Sequence, residues 1–369
     1  MYVLWSIYSW CRFLFVPVKW FLWRAGLLKR RPMFIDHYDE SQTAWGQLTY
    51  WNPRLRVVGA EHCPPGPPAV FAGNHIKLDD PFFAWNTAWR SSNKAIQLFF
   101  MMRDDYFHGF PWNLSPIPVI EIAEMGGGVK ITRDNVSLAQ MKPFLEILQR
   151  PGCFMIFPGR TRTRSGLVME FREGFDDPGG VSFFLVHGQR RAKTAIPCVP
   201  FARTHNLLTH KSTVVLGPPR YLPENASREE QRAFDLDLAA SIGDLIELNV
   251  FHVVSGLLYL HALHDRGERI ALDRLHTVAR EVIVQLPPHR HHDPALDTLS
   301  PADLRRALRF LAKRGMLHLD GDTVVLHREN ILAVPPLDTS YLKLNPIKYH
   351  VNQLLHLADV VTLLEAARL

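Results

Sequence analysis

The chain has 369 residues, of which 47% are hydrophobic and 21% are charged. It is therefore long and apolar enough to bury a large core, which excludes a disordered or low-complexity protein. Its 42 basic and 36 acidic side chains leave a formal net charge of +6 with the histidines neutral. This excess favours a polyanionic partner, such as a phosphate group, a coenzyme or an anionic membrane surface, but does not identify it.

Cysteine and histidine spacing gives no sign of a metal or disulfide framework. Cys11, Cys63, Cys153 and Cys198 lie far apart, with no C-x-x-C pair, so reduced thiols facing the cytosol are expected. The histidine group at residues 289–292 lies in a proline-flanked polar loop, where we expect exposed side chains rather than metal ligands.

The first 31 residues interleave tryptophans with isolated lysines and arginines. The charge-free apolar run from Met1 to Cys11 is well short of the ~20 residues that span a bilayer, and no secretory cleavage pattern follows it. Tryptophans favour the headgroup level and long cations extend to anionic lipid, so we predict an anchor that lies on the membrane. The basic residues 29–31 indicate the cytoplasmic face. The alternative is a buried first helix of the main domain.

The central part of the chain alternates between predicted strands and helices. Residues 33–65 are irregular, and the proline-rich run at 63–68 predicts a stiff turn before the first strand. The strands are predicted at 69–72, 96–101, 117–122, 153–157, 196–202 and 213–216, and the helices at 82–89, 136–149 and 181–191. This rhythm predicts an α/β domain with a mainly parallel sheet flanked by helices, whose strand ends are the natural place for chemistry.

Residues 70–83 place His75 and Asp80 just after the end of the strand predicted at 69–72. Asp80 followed by Pro81 predicts a helix N-cap with proline at the first helical position. An imidazole oriented by a nearby carboxylate is suited to removing a proton from a hydroxyl group near neutral pH. The alternative is an ordinary loop histidine beside a capping aspartate.

A second stretch, residues 154–166, runs from a buried apolar strand into alternating arginines and hydroxyls. Guanidinium forks and hydroxyl donors in this pattern can surround a phosphate group. The alternative is a solvated loop or a salt-bridge cluster. The glycine-rich residues 126–133 add flexible backbone and two more cations, but a glycine run alone is a weak signal.

Together these stretches resemble the glycerolipid acyltransferase superfamily. Residues 74–80 resemble its N-H-x4-D block, and residues 79–81 are similar to the version found in tafazzin-like members. Residues 128–133 resemble the second block, 157–166 the third and 196–200 the fourth, in family order. Two departures stand out: Gly159 and Arg160 replace the common glutamate and glycine of the third block, and Lys77 stands where many members carry serine.

The resemblance implies an O-acyltransferase of phospholipid synthesis. It implies that His75 is the general base, that Asp80 orients it, and that no serine or cysteine intermediate, metal or cofactor is needed. The acyl donor would be acyl-CoA or acyl-carrier protein as a co-substrate, and the acceptor glycerol 3-phosphate or a lysophospholipid. The residues expected to bind the acceptor are Lys77, Arg133, Arg160, Thr161, Arg162 and Arg164. The alternative is a lipid-binding or scaffold protein that has lost turnover because its third block is altered.

Beyond residue 216 the sequence changes character. Residues 227–264 predict a long helical stretch, and residues 266–334 predict helix, loop, helix and two short strands, including a capped helix at 300–314 and a hairpin at 316–327. This outline is similar to a winged-helix DNA binder, but the basic residues are not concentrated on one recognition helix, so we predict no nucleic-acid role.

The last stretch, residues 341–357, resembles a C-terminal segment of glycerol-3-phosphate acyltransferases, although an amphipathic closing helix would have the same spacing. The sequence therefore predicts an anchoring segment at 1–31, an acyltransferase domain at 32–265 and a helical, winged-helix-like accessory region at 266–369. The protein is expected to be peripheral or monotopic on the cytoplasmic face of a membrane. Nothing in the sequence fixes its oligomeric state.

Overall fold

The structure is a computed structural model that describes residues 2–49, 54–103, 114–132, 138–150, 152–159, 161–168 and 180–369. The helices are α1 (Tyr2–Arg24), α2 (Tyr38–Thr49), α3 (Asp80–Ser91), α4 (Val119–Met125), α5 (Leu138–Gln149), α6 (Val181–Ala192), α7 (Arg228–Asp244), α8 (Val250–Leu263), α9 (Leu272–Val284), α10 (Pro301–Ala312), α11 (Arg328–Leu332), α12 (Tyr341–Leu344), α13 (Pro346–Leu354) and α14 (Ala358–Ala366). The strands are β1 (Leu55–Val58), β2 (Ala69–Gly73), β3 (Leu98–Arg103), β4 (Gly128–Ile131), β5 (Cys153–Ile156), β6 (Cys198–His205), β7 (Ser212–Leu216), β8 (Arg269–Ala271), β9 (Leu317–Asp320) and β10 (Thr323–Leu326).

A mainly parallel seven-stranded sheet forms the centre of the molecule, in the order β1-β7-β6-β2-β5-β3-β4. Only the pair β6 and β7 is antiparallel among these strands. The strand β2 lies between β6 and β5, with Val70 opposite Phe154 on one side and Cys198 on the other. The predicted α/β class with a mainly parallel sheet is confirmed.

Helices cover both faces of this sheet, and the side chains of β2 alternate between the apolar clusters on the two faces. Val70 and Ala72 belong to the apolar cluster beneath α5, α6 and α7, whereas Ala69 and Phe71 belong to the cluster beneath α3. All five residues of β2 are buried. A strand buried on both faces reads as a continuous apolar run, as this one does.

The helix α1 packs against the rest of the molecule by one face only. Phe13, Val16 and Trp20 are buried against α2, the turn before it and α4, and the indole of Trp20 donates to Glu121 at 2.7 Å. The opposite face leaves large apolar side chains exposed, namely Val3, Leu4, Ile7, Leu14, Phe15, Val18, Phe21 and Leu22. Among the described residues, no helix is both long and apolar enough to cross a bilayer.

The C-terminal region has its own apolar core around α8, which packs against α13, α14 and α9. A small antiparallel sheet in the order β8-β10-β9 lies beside α9 and α10. The helix α10 starts with a capping box between Ser300 and Asp303, and the hairpin turns between Asp320 and Thr323. The predicted cap and hairpin are confirmed, and the division at residue 265 stays a prediction.

Two predictions of secondary structure are wrong. Residues 117–122 do not form a strand, because Pro118 lacks an N–H and its carbonyl instead accepts from Glu121 and Ile122, which starts α4. The stretch 227–264 is two helices rather than one: α7 ends at Asp244, and the side chain of Asn249 caps the start of α8. The strands β1 and β4 and the helix α2 were not predicted; β4 pairs with β3 at the sheet edge. All four cysteines are free.

Candidate active site

The site begins where β2 ends and the chain turns away from the sheet. The side chain of Asn74 continues the strand pairing there: its Nδ2 donates to the carbonyl of Arg203 at 2.9 Å, and its Oδ1 accepts from the Arg203 N–H at 2.7 Å. Gly73 lies so close to the ring of Phe201 that a Cβ would come within 2.4 Å of it. The turn is therefore tied to the neighbouring strand β6 by both contacts.

His75 follows directly and presents its imidazole beside a carboxylate. Its Nδ1 lies 2.7 Å from Oδ2 of Asp80, and its ring stacks on Phe157 with centroids 4.3 Å apart and an interplanar angle of 17°. Because a carboxylate accepts, Nδ1 carries the proton and Nε2 keeps its lone pair. The side chain is 17% exposed, so a substrate can reach it.

Asp80 is fully buried and is held in its ionised form by its neighbours. Its Oδ2 also accepts from the backbone N–H groups of Ile76 and Lys77 at 2.6 and 2.7 Å, and its Oδ1 accepts from Arg203 at 2.6 Å. Burial opposes the charged form, but the hydrogen bond with His75 and the charge of Arg203 outweigh it, so the pKa of Asp80 lies below its ordinary value.

The predicted capping role of Asp80 is wrong. The N-cap position of α3 belongs to Asp79, and Asp80 is the first helical residue. The Asp80 side chain turns back to the loop before the helix, where it accepts from backbone N–H groups of that loop. Pro81 stands at the start of the helix as expected.

Arg203 completes the site, and sequence reasoning missed it. The guanidinium is 2% exposed, donates to Asp79 at 2.7 Å and to Asp80 at 2.6 Å, and lies 3.6 Å from the ring centroid of Phe83. It also donates to Ser212. The available signal was a lone arginine that continues the apolar strand of the fourth block, where a buried cation requires a carboxylate partner.

The arginine loop, residues 157–166, reaches His75 through the backbone. The N–H of Thr163 donates to the carbonyl of His75 at 2.7 Å, and the N–H of Gly166 donates to the Thr163 hydroxyl at 2.9 Å. The structure thus brings together the predicted residues His75, Lys77 and Asp80 in one turn. It places Thr161, Arg162 and Arg164 in the loop bonded to that turn. Arg133 and Arg160 lie outside the described residues.

The C-terminal region holds the arginine loop from the other side. The carbonyl of Arg164 accepts from the Tyr341 N–H at 2.9 Å, and its guanidinium donates to the Asp338 carbonyl. The Asn352 amide donates to the Ser165 carbonyl at 2.9 Å. Gly166, with φ +98°, approaches the Tyr349 carbonyl so closely that a Cβ would lie 2.2 Å from it.

Metal ligands are not grouped at this site. In the part of the chain that the structure describes, no cluster of three or more histidine, cysteine, aspartate or glutamate side chains could hold a metal ion. In the group at residues 289–292, His289 pairs with Asp359 and His292 with Asp297. The arrangement at His75 is instead an imidazole, a carboxylate hydrogen-bonded to it and a buried guanidinium that pairs with that carboxylate.

A family model described as Acyltransferase matches residues 54–177. Among solved structures, the chain is similar to the 1-acyl-sn-glycerophosphate (LPA) acyltransferase PlsC from Thermotoga maritima, at 15% identity and a TM-score of 0.34, over 65% of this chain and 94% of that one. A search of curated proteins gives no match.

Proposed function

We propose that the chain is a glycerolipid acyltransferase, on the basis of its match to the Acyltransferase family model at residues 54–177 and of the contacts at His75. A fatty acyl group moves from an acyl thioester, acyl-CoA or acyl-carrier protein, to a hydroxyl of glycerol 3-phosphate or a lysophospholipid. The observation that carries the proposal is the chain of contacts from His75 through Asp80 to Arg203.

The chemistry follows from the tautomer of His75. Nε2 takes the proton of the acceptor hydroxyl while the oxygen attacks the thioester carbonyl, and Asp80 stabilises the imidazolium that forms. The C–S bond breaks and the thiolate recovers the proton from His75. General-base catalysis of this kind contributes about 10²–10⁴-fold, so the positioning of both substrates supplies much of the rest.

The acceptor phosphate would be held by the arginine loop. Arg162 and Arg164 supply guanidinium groups there, and Thr161 supplies a hydroxyl. Lys77 adds a cation from the His75 turn. The hydrogen bond from the Thr163 N–H to the His75 carbonyl supports this assignment, because it ties the loop to the base. Arg133 and Arg160 are proposed to contribute further charge on sequence grounds.

We propose that the protein attaches to the cytoplasmic face of an anionic membrane, and the exposed apolar face of α1 supports the attachment itself. Apolar side chains on this face, such as Phe15 and Leu22, are exposed while the opposite face is buried in the protein. A helix of this kind can insert its apolar face at the headgroup boundary while Lys19 and Arg24 meet anionic lipid.

Vesicle flotation tests the attachment without removing α1. Phe15→Asp combined with Leu22→Asp should abolish flotation with vesicles of phosphatidylglycerol and phosphatidylcholine. Arg228→Asp combined with Glu229→Arg, on the polar start of α7, is the control and should float like the wild type. Flotation of the α1 variant at the wild-type level would show that another surface binds the membrane.

Release of free thiol from an acyl thioester tests the reaction. Purified protein receives palmitoyl-CoA or palmitoyl-carrier protein with glycerol 3-phosphate or lysophosphatidate, and thiol and acylated product are measured together. The wild type should release thiol in proportion to product, and His75→Ala should lose both. His62→Ala, a half-exposed histidine outside the site, is the control. No thiol release from the wild type with any pair would support the scaffold alternative, which the replacement of the third-block glutamate by Gly159 suggests.

A further inference from the structure

Lys77 is held in the His75 turn by its backbone, while its amino group has no hydrogen-bonded partner. The Lys77 N–H donates to Oδ2 of Asp80 at 2.7 Å, and the same oxygen lies 2.7 Å from Nδ1 of His75. One carboxylate oxygen therefore fixes the Lys77 backbone and the His75 ring together. Within the ranges that the structure describes, Nζ of Lys77 forms no hydrogen bond or ion pair.

The Lys77 side chain lines a small cavity beside the turn, with a volume of about 50 Å³. The walls of this cavity are mainly apolar and include Ile76, Leu207 and Leu342. Lys77 is half-buried there, so its amino group loses part of its hydration without being closed off from a reagent. Partial loss of hydration disfavours the charged form of an amine.

The charges around Lys77 act in opposite directions. Burial and then the charge of Arg203 lower the pKa of Lys77, whereas Asp79 and Asp80 raise it, and the net shift is downward. The two carboxylates compensate only in part, because both already pair with Arg203, at 2.7 and 2.6 Å. His205, which also lines the cavity, is neutral at pH 7, since burial and the charges of Lys77 and Arg203 lower its pKa to about 3. More of the Lys77 amine is therefore neutral than in an exposed lysine.

A neutral amine in this position is a nucleophile that can compete with a hydroxyl group. Lysine amines become nucleophilic when they are desolvated beside apolar groups or another cation, and both conditions hold for Lys77. His75 is 17% exposed and lies two residues away, so a thioester that reaches the imidazole also meets the turn that carries the amine.

We propose that Lys77 is a site of self-acylation, at which Nζ takes the acyl group of a thioester that approaches the His75 turn without an acceptor. The amine attacks the thioester carbonyl, a C–N bond forms and the C–S bond breaks. The products are an amide and a free thiol, because the proton that the amine loses passes to the leaving thiolate. The inference rests on the acyl donor of the proposed function and adds a covalent product to it.

Acylation would change the charge of the proposed acceptor site. An amide at Lys77 is uncharged, so it removes the cation that the His75 turn offers to the acceptor phosphate. An excess of donor over acceptor would then lower the affinity for the acceptor.

Peptide mass spectrometry of the folded protein tests the proposal directly. The protein is incubated with palmitoyl-CoA and no acceptor, and the acylated fraction of each lysine is followed with time. Lys77 should be acylated about tenfold faster or more than Lys313, because the turn holds the amine and the thioester together. Lys313 is the internal control, since it is an exposed lysine at the end of α10.

The same incubation in urea measures the reactivity of the lysines without the fold. Lys77 and Lys313 should then react at equal rates, because the turn and the cavity are lost. Equal rates in the folded protein would overturn the proposal, and so would a rate advantage of Lys77 that persists in urea.

The effect of the lost charge is measured after incubation with palmitoyl-CoA. The KM of the wild type for glycerol 3-phosphate should rise by about tenfold, as expected when one charge-assisted hydrogen bond is lost. Lys77→Arg keeps a cation but offers no amine, so its own KM should be the same before and after incubation. Lys313→Arg is the matched control and should change like the wild type. An equal rise of KM in Lys77→Arg would overturn the role given to Lys77.

The outcomes separate this proposal from the proposed function. Turnover of an acceptor without acylation of Lys77 would overturn self-acylation and leave acyl transfer to the acceptor standing. Acylation of Lys77 without product from any acceptor would support the lysine site and contradict the proposed function. The absence of both products would contradict both.

Discussion

The His75 turn and the arginine loop are built in opposite ways, although the Thr163 N–H, which donates to the His75 carbonyl, joins them. The turn is held by contacts within the sheet, since Asp80 accepts hydrogen bonds from the turn itself and from Arg203 on β6. The loop is fixed from outside, because its carbonyls accept from Tyr341 and Asn352 in the C-terminal region.

This difference indicates a division of labour. The hydrogen bonds of His75 and Asp80 come from the turn itself, from Arg203 on β6 and from the arginine loop. The geometry of the proposed acceptor site depends on its hydrogen bonds with the C-terminal region. Changes at the first place should therefore alter stability and rate, and changes at the second should alter acceptor affinity.

Removing Arg203 should have the largest effect on stability. Arg203→Met leaves the buried carboxylate of Asp80 without its cation, which should lower the free energy of unfolding by about 3–5 kcal/mol. Urea denaturation measures the loss. Arg220→Met is the matched control, because Arg220 pairs with Asp237 at the surface and such pairs contribute about 1 kcal/mol or less. Equal losses in the two variants would mean that the turn is not anchored through Arg203.

Acid should weaken the C-terminal side. Burial lowers the pKa of His252 to about 3 and that of His350 to about 4, so the unfolded chain binds protons there that the folded chain does not. Stability present above about pH 6.5 is then lost as the pH falls, by about 2 kcal/mol per histidine between pH 7 and pH 5.

Urea denaturation at the two pH values checks this loss. His350→Asn should show a smaller decrease between pH 7 and pH 5 than the wild type. His318→Asn, at an exposed histidine, should keep the full decrease. A pH dependence identical in wild type and His350→Asn would contradict the account of a neutral, buried His350.

Loosening the arginine loop should have the smallest of these effects. Asn352→Leu removes the donor to the Ser165 carbonyl and should raise KM for the acceptor about tenfold, with kcat nearly unchanged, because one buried hydrogen bond is lost. Asn330→Leu is the control, since Asn330 donates to the Gly315 carbonyl at an exposed position. A drop in kcat rather than a rise in KM would place the loop's role at the reacting atoms.

The same division explains what the sequence could predict. His75 and Asp80 were found because their relation is local: a strand end, a turn and a helix start set it within five residues. Arg203 lies 123 residues from Asp80 along the chain, and only the pairing of β6 with β2 brings them together.

Local sequence patterns also gave wrong predictions where the same residues can form either of two local structures. The apolar residues around Ile120 can form a strand or a helix, and they form a helix because Pro118 is its N-cap. Asp80 before Pro81 has the sequence of an N-cap, yet its carboxylate accepts hydrogen bonds from the backbone N–H groups of Ile76 and Lys77, in the loop before the helix. Strands at the sheet centre, such as β2 and β5, were predicted well because burial on both faces leaves one continuous apolar run.

The most direct test of the His75 turn is the rate of thiol release by Asp80→Asn at saturating acceptor, with the fold checked by urea denaturation. The asparagine keeps the shape of the side chain but removes the charge that stabilises the imidazolium. The account predicts a kcat lower by about 10²–10⁴-fold with KM for the acceptor little changed. A folded Asp80→Asn variant with the wild-type kcat would contradict the assignment of His75 and Asp80 as the catalytic pair.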